Sequence, residues 1–337
     1  MTKFGLKLIG QPTMVANVLK KYSAFPSVIR TQGGDYLCAH MENTSHYGVN
    51  GRTVIRRSTD LEFWSDPVTP PGQLSGFGWG ATGLALDSGG RIYMGVAKTG
   101  WVPNSQTLAS VSGYVRWSDD DGLTWSSLVA MPGGGAWPSA CTFYPSGLVA
   151  LTDGRILFSG YGGDHKVRFY CSDDRGATWT PMGVLTAGGR QLQEPQIIQL
   201  SDGSVLCTMR SDSITGDGSE YLYKATFDPG SNTWDGLAVI TYDGGGCATP
   251  TEITPGWVFV LYRGFGDRGD NTRRPPRGLM IGPDWAQGNQ DFWPNLERRY
   301  LYGKAIDGYL IFALEGPGGS AAPYAAIWSQ AYAVKTF

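Results

Sequence analysis

The sequence has few charged residues and no clear excess of either sign. Only 17% of the 337 residues are charged, and the formal net charge is −2. Proteins that bind nucleic acids neutralise phosphates with clustered Lys and Arg side chains. The composition therefore predicts no nucleic-acid partner.

Long hydrophobic runs are also missing. No stretch reaches the roughly 18 consecutive apolar residues that a membrane-spanning helix requires. The first residues, MTKFGLKLIGQPT, lack the apolar central region of a secretory signal peptide. We therefore expect a soluble protein with no membrane span, located in the cytoplasm, associated with a phage, or secreted with its signal trimmed.

Cysteine is scarce, and its spacing does not suit a metal site. The five residues are Cys38, Cys141, Cys171, Cys207 and Cys247. None of them forms a Cys-x-x-Cys pair, so no zinc site is expected. Apolar neighbours, as in YLCAH and SVLCTM, favour buried free thiols. We expect no metal and no cofactor.

The abundant residues are those of short strands and tight turns. The chain has 49 Gly, 12 Trp and 17 Tyr residues. Stretches such as RTVIRR, GYVRW and KVRFYC alternate or run apolar, and no helical stretch of convincing length appears. The chain is therefore predicted to be all-β.

One eight-residue motif occurs twice and then in weaker copies. SDDDGLTW begins at Ser118 and SDDRGATW at Ser172, while the weaker copies begin at Ser58, Thr226 and Gly282. The steps between successive copies are 60, 54, 54 and 56 residues, which divides the chain into about six units. Such periods with several strands each are typical of propeller blades. We predict a single six-bladed β-propeller domain over residues 1–337.

The motif has a structural explanation of its own. An Asp at its third position can accept hydrogen bonds from the backbone N–H groups of its own turn, and the following Gly supplies a positive φ. The closing Trp is expected to pack between blades. These carboxylates are therefore interpreted as turn formers and not as catalytic groups: Asp60, Asp119, Asp120, Asp121, Asp173 and Asp174.

The motif resembles the Asp-box, or BNR repeat, of the sialidase superfamily. This resemblance implies a six-bladed propeller over nearly the whole chain. We expect the N-terminal strand KFGLKLIG to pair beside AAIWSQAYAV in the last blade, which would close the ring and cover an edge.

The resemblance also implies a cluster of three Arg residues for the carboxylate of the sugar, because the guanidinium fork pairs bidentately with carboxylates. Arg30, in AFPSVIRTQGGDYL, occupies the equivalent first strand. Glu194 and Arg210, in EPQIIQLSDGSVLCTMRSD, are 16 residues apart across a tight turn, so adjacent strands should bring them side by side. This pair is the most specific signal in the sequence.

The third Arg of the family precedes a strand that leads into another Asp-box. Arg277, in RRPPRGLMIGPD, fits this position. Arg273 and Arg274 stand close by, and Arg263 in VLYRGFGDRG is a further candidate.

The family nucleophile is a Tyr followed by Asp-Gly, an apolar strand and a Glu, as in RRYLYGKAIDGYLIFALEG. Tyr302 is favoured and Tyr300 stays open. A neutral phenol avoids the repulsion that a carboxylate nucleophile would meet at an anomeric carbon already bearing a carboxylate. A phenol pKa near 10 requires a base, and Glu194 would accept its proton.

The family's general acid is an Asp, and this sequence has no Asp between Asp35 and Asp60. His46 falls at the corresponding position, and Glu42 is the other candidate. The third alternative is that the acid is missing, so several functions stay open.

The first function is a retaining, exo-sialidase-like glycoside hydrolase for sialic acid or a related ulosonic sugar. The second is a depolymerase resembling phage endosialidases, and the third is a non-catalytic glycan-binding propeller that keeps the Arg clamp. A propeller that only scaffolds proteins is disfavoured by the combined Arg, Glu and Tyr matches. The expected partner is a sialylated or other acidic glycan.

Overall fold

The structure, a computed structural model, describes residues 4–16, 22–45, 48–102, 105, 107–136, 143–215, 219–242, 244, 246–264, 276–282, 287–291, 301–306, 309–315 and 327–336. For the first strand, apart from Val15, and for the strands after residue 282, only the backbone is described. Within these ranges no helix is long and apolar enough to cross a membrane.

The described residues form strands that belong to six antiparallel sheets. The chain begins with β1 (Phe4–Ala16). The first sheet contains β2 (Tyr22–Arg30), β3 (Tyr36–Asn43) and β4 (Arg52–Ser58). The second contains β5 (Gly78–Leu86), β6 (Ile92–Trp101), β7 (Leu108–Ser118) and the short strands β8 (Val129–Ala130) and β9 (Gly135–Ala136). The third contains β10 (Tyr144–Ala150), β11 (Ile156–Tyr161), β12 (Val167–Ser172) and β13 (Thr180–Leu185).

The remaining sheets repeat the four-stranded pattern. The fourth contains β14 (Arg190–Gln199), β15 (Val205–Ser213), β16 (Glu220–Asp228) and β17 (Thr233–Thr241). The fifth contains β18 (Gly246–Thr254), β19 (Trp257–Arg263), β20 (Pro276–Ile281) and β21 (Gln287–Asp291). The sixth contains β22 (Leu301–Ile306), β23 (Tyr309–Glu315) and β24 (Ile327–Thr336), with β1 on its outer edge.

The first strand of each sheet contacts the first strand of the next. The contacts run from β2 to β5, β10, β14, β18 and β22, and β22 contacts β2 again. The six inner strands therefore form a closed ring, and the predicted all-β propeller is confirmed. In the sixth sheet β1 runs antiparallel to β24, with Phe4 opposite Thr336 and Leu8 opposite Tyr332. This pairing leaves β24 covered on both sides.

The hydrophobic core lies between neighbouring sheets. One cluster joins the first and second sheets, one the second and third, one the third and fourth, and one the fourth and fifth. Trp179, which closes a motif copy, belongs to the core cluster that also contains Tyr93 and Val115 of the preceding sheet. Its ring centroid lies 5.9 Å from that of Phe158. The closing Trp thus joins blades, as the sequence predicted.

The motif copies that begin at Ser58, Ser118 and Ser172 fold as tight turns that use their carboxylates locally. Asp120 accepts hydrogen bonds from the hydroxyl and the N–H of Thr124 and from the hydroxyl of Ser118. Ser118 Oγ in turn accepts the N–H of Gly122, which has a φ of 83°. These bonds, that of the Thr124 hydroxyl above all, lower the pKa of Asp120 to about 2.

The second strong copy repeats this bonding. Asp174 accepts the hydroxyl and the N–H of Thr178, and its pKa is likewise lowered to about 2. In the weaker first copy, Asp60 accepts the N–H groups of Glu62 and Phe63. The predicted role of these three carboxylates as turn formers is confirmed.

Three of the cysteines are buried free thiols, as expected: Cys38, Cys171 and Cys207. Burial raises the pKa of Cys38 to about 12, which keeps that thiol protonated and unreactive. Cys247 differs because it is only partly buried. Cys141 lies outside the described residues.

Candidate active site at the inner strands

Five of the inner strands break their pairing register near the same end. The breaks lie between Ala24 and Ser27, Ala81 and Gly83, Pro145 and Leu148, Gln193 and Gln196, and Gly246 and Thr249. A β-bulge bends its strand and re-aims a side chain, and bulges are frequent beside active sites. The propeller therefore carries a ring of bulges.

Three residues at these bulges have left-handed backbone conformations although none is Gly. They are Phe25 with a φ of 55°, Glu194 with 51° and Cys247 with 54°. Such conformations cost about 1–3 kcal/mol each and persist only where the surroundings enforce them. Because strained residues cluster at functional sites, the bulge ring marks a candidate site.

The bulge ring surrounds a cavity of about 260 Å³. The wall from the first two sheets is largely apolar, and none of its described residues is ionisable. Its apolar members include Phe25, Pro26, Met41, Ala81, Ala97 and Leu108. The wall from the next three sheets is polar, and Glu194 is the one carboxylate among its described residues. A ligand that fills this cavity would contact apolar side chains of the first two sheets and the Glu194 carboxylate of the wall from the next three sheets, hereafter the charged wall.

Glu194 is held through one of its two oxygens. Its Oε2 accepts the N–H of Cys247 at 3.0 Å and lies 3.7 Å from the Cys247 Sγ and 3.6 Å from the Arg210 Nε. Burial would raise the pKa of this carboxyl, but Arg210, Arg263 and the Cys247 N–H outweigh it and hold the pKa below its usual value. Glu194 is therefore ionised at neutral pH.

The sequence placed Glu194 and Arg210 on adjacent strands, and the structure brings the two charges together. In the register of β14 and β15, Arg210 lies opposite Gln193, because the bulge shifts Glu194 out of the ladder. Arg210 also bonds to Gln193 through Nη2 and lies 3.4 Å from Asp212. Its guanidinium is thus fixed between two carboxylates.

Arg263, an alternative for the third Arg, lies closer to this cluster than the favoured Arg277. Its guanidinium packs on Gly246, where an added Cβ would lie 2.6 Å from Nη2, and its charge acts on Glu194. Arg277 lies on β20 opposite Tyr262 of β19 and packs against Gly264. Neither Arg263 nor Arg277 is among the residues that line the cavity.

The expectation that Arg30 joins the clamp is corrected by its position. Arg30 is the last residue of β2, is exposed, and donates to the Gly34 carbonyl at 2.9 Å in the following turn. Its guanidinium lies 5.7 Å from the Tyr36 ring centroid. From β2 the cavity instead receives Phe25 and Pro26.

The candidate acid Glu42 is engaged in ion pairs within the protein. Its two oxygens pair with Arg52 at 2.8 Å and Arg56 at 3.2 Å, and its side chain is fully buried. Burial opposes ionisation, yet the arginines hold the pKa of Glu42 below its usual value. Glu42 is therefore a poor proton donor. The other candidate acid, His46, lies outside the described residues.

The predicted nucleophile Tyr302 lies on β22, the inner strand of the sixth sheet, opposite Ala313. This strand contacts β18, which carries Cys247, and β2. The alternative nucleophile Tyr300 lies outside the described residues, as do Arg273 and Arg274.

Two further tyrosines line the charged wall, and the sequence analysis missed both. The rings of Tyr144 and Tyr161 stack with centroids 5.2 Å apart at 25°. Burial, aided by the negative charge of Glu194, raises the pKa of Tyr144 to about 12, and burial also raises the pKa of Tyr161 well above its usual value. Both phenols stay neutral and can donate hydrogen bonds.

A sequence signal for this cavity existed in the residues that precede proline. Phe25, Tyr144, Glu194 and Thr249 each stand before a Pro in an inner strand, and all four line the cavity. Pro cannot donate to a ladder, so within sheets it marks bulges and edge strands. The X-Pro pairs therefore mark the bulge ring.

A second cavity of about 370 Å³ lies farther along the inner strands, with Gln196 and Thr249 shared between the two. Among its described lining residues the one carboxylate is Glu252, which accepts bonds from the N–H and hydroxyl of Ser201 and the N–H of Gly256. Because this carboxylate is satisfied by the protein, the first cavity is the stronger candidate.

Comparisons with known proteins identify the repeats. A model of the BNR repeat-like domain matches residues 82–244, so the chain contains a BNR repeat-like domain. No curated protein sequence matches the chain.

Comparisons with solved structures identify the fold. A protein of unknown function from Dyadobacter fermentans superposes with a TM-score of 0.80 at 15% identity, over 98% of this chain and 100% of that one. The NanB sialidase from Streptococcus pneumoniae gives 0.68 at 12% identity, over 98% and 70%. The intramolecular trans-sialidase from Ruminococcus gnavus gives 0.67 at 14%, over 95% and 96%. The chain therefore has a sialidase-like propeller fold, as its repeats predicted.

Proposed function

We propose that this chain, a sialidase-like propeller with a BNR repeat-like domain, is a retaining glycoside hydrolase for sialic acid or a related ulosonic sugar. The observation that carries the proposal is Glu194, an ionised carboxylate in the wall of a small cavity, with arginines on one side. The inner strand that bears Tyr302 belongs to the same closed ring.

The arginines support an acidic substrate. Arg210 and Arg263 both act electrostatically on Glu194, and Arg210 also lies 3.4 Å from Asp212. A substrate carboxylate would pair with a guanidinium fork beside Glu194, which would fix the orientation of the sugar. Arg277 remains the alternative to Arg263 in this role.

The chemistry proceeds by two displacements. Glu194 accepts the phenolic proton of Tyr302 as the phenolate oxygen attacks the anomeric carbon, and the glycosidic C–O bond breaks. The departing oxygen takes a proton from the acid, for which His46 is the candidate. Water then attacks the same carbon and gives a proton to the deprotonated acid, while the Tyr302 oxygen leaves and takes its proton back from Glu194. Two inversions give net retention.

An aryl α-sialoside tests this proposal, because its good leaving group needs little help from the acid. Purified protein should release the aryl alcohol and, by proton NMR, first form the α-anomer of the free sugar. Glu194→Gln, which keeps the size of the side chain, should lower turnover by about 10²–10⁴-fold. Absence of release from the wild-type protein, or release that is equal in both proteins, contradicts the proposal.

The full ion pairing of Glu42 favours one second candidate, a glycan-binding propeller without catalysis, because the described cavity wall then offers no second acid. In that case a sialoside binds in calorimetry but is not cleaved. Cleavage of polysialic acid without turnover of the aryl sialoside would instead indicate a depolymerase.

A further inference from the structure

Cys247 differs from the other described cysteines in position, exposure and backbone conformation. It lies at the bulge of β18, is partly exposed, lines the cavity and has a left-handed backbone without being Gly. Strain of this kind is retained where it places a side chain. The strained conformation of Cys247 therefore indicates that this residue has a function at the cavity.

That role is visible in the contacts of Glu194. The N–H of Cys247 and its thiol both point to Oε2, and Arg210 approaches the same oxygen. No bond to Oε1 is made among the described residues, and Oε1 is not among the buried polar atoms that lack a partner. One oxygen is held by the protein while the other is left to the cavity.

We propose that Cys247 is a positioning residue: its N–H and thiol fix Oε2 of Glu194, so that Oε1 faces the reacting group. The catalytic consequence rests on the proposed function, whereas the contact itself does not. A base that is fixed through one oxygen has fewer orientations to lose when the substrate binds. Hydrogen bonds to the ionised form also favour that form.

Other charged and titratable groups face the same carboxyl and must be kept constant in any test. Arg210 approaches from β15 and Arg263 from β19, while Tyr144 and Tyr161 line the cavity from β10 and β11. Asp212 lies on the far side of Arg210. None of these is altered by a change at Cys247.

Two variants separate the thiol from the rest of the residue. Cys247→Ala keeps the backbone N–H and removes the side-chain donor, whereas Cys247→Ser keeps a donor. Cys171→Ala is the matched control, because the Cys171 thiol also faces a carboxylate, that of Asp173 at 3.8 Å, but away from the cavity.

The pH dependence of kcat/KM on an aryl sialoside gives the first readout. Glu194 must be ionised to act as a base, so activity falls as the pH drops through its pKa. Loss of a donor to the ionised form raises that pKa, so Cys247→Ala should move the acid limb upward by about one unit and lower kcat/KM roughly tenfold. Cys247→Ser and Cys171→Ala should stay near wild type. An unmoved limb in Cys247→Ala, or an equal shift in Cys247→Ser, overturns the proposal.

Carbon-13 NMR of protein labelled at the Glu carboxyl carbons gives a readout that needs no turnover. The Glu194 resonance is the one absent in Glu194→Gln, and its titration midpoint should be higher in Cys247→Ala than in wild type. A raised midpoint in a protein without hydrolase activity sinks the proposed function and keeps the Cys247 contact. Turnover by the wild type, together with an unchanged Glu194 midpoint in Cys247→Ala, supports the proposed function and overturns the role of Cys247.

Discussion

Two kinds of carboxylate in this propeller are kept ionised by very different means. Asp120 is held by groups within four residues of itself, in an exposed turn. Glu194 is held by Arg210, Cys247 and Arg263, which lie on three other strands of two sheets. The turn carboxylate is satisfied on both oxygens, whereas the cavity carboxylate keeps one oxygen open.

The difference separates fold from function. A carboxylate whose partners are all in its own turn can only shape that turn, so it can recur in blade after blade. A carboxylate whose partners lie on distant strands acquires those partners only when the sheets pack together. Its charge is then available to a ligand. Substitution of the turn carboxylate should therefore affect stability, whereas substitution of the cavity carboxylate should affect turnover.

The largest effect on turnover is expected for substitution of Glu194, whose Oε1 is left to the cavity. Glu194→Gln should lower kcat/KM on an aryl sialoside by about 10²–10⁴-fold, because the base is lost while the shape is kept. Circular dichroism should show an unchanged strand content. A loss below about threefold would remove Glu194 from the proposed mechanism.

The next effect concerns the ion pair. Arg210→Ala leaves the carboxylates of Glu194 and Asp212 without their common partner, so it should destabilise the fold by about 3 kcal/mol and abolish sialoside binding. Arg210→Lys, which keeps the charge but loses the fork, should recover most of the stability and little of the binding. Urea unfolding and calorimetry measure the two quantities, and full binding by Arg210→Ala would contradict the clamp.

A smaller effect is expected in the turns. Asp120→Asn should reduce stability by about 1 kcal/mol, since solvent screens this exposed site, and leave turnover unchanged. The pKa of Asp120 is lowered from 3.8 to about 2, so its stabilisation is complete above pH 3.8 and is lost as the pH falls toward 2. Urea unfolding at several pH values should show the gap between wild type and variant closing over that window. A difference in unfolding free energy that persists near pH 2 would show that the ionised Asp120 carboxylate is not the source of the stabilisation.

The smallest effect is expected at Arg30. Because its guanidinium bonds to the Gly34 carbonyl outside the cavity, Arg30→Ala should change kcat/KM less than twofold. A loss comparable to that of Arg210→Ala would place Arg30 at the substrate after all. The same assay and substrate serve both variants.

The same contrast explains what the sequence could predict. The Ser118–Trp125 turn was predictable because every partner of Asp120 lies within it, and the pairing of Glu194 with Arg210 followed from one hairpin. Arg30 was misplaced because an X-Pro bulge at Phe25, not the strand end, sets which residue of β2 reaches the cavity. The partnership of Glu194 with Cys247 joins residues 53 apart in sequence, and no local pattern records it.

The most direct test of the central claim is the pH dependence of kcat/KM for the wild-type protein and Glu194→Gln on an aryl sialoside. We expect turnover by the wild type with an acid limb whose midpoint lies below 4.5, the ordinary pKa of a Glu carboxyl, and turnover by Glu194→Gln that is lower by about 10²–10⁴-fold. A limb above that value, or a variant as active as the wild type, would show that Glu194 is not the ionised group that drives the reaction.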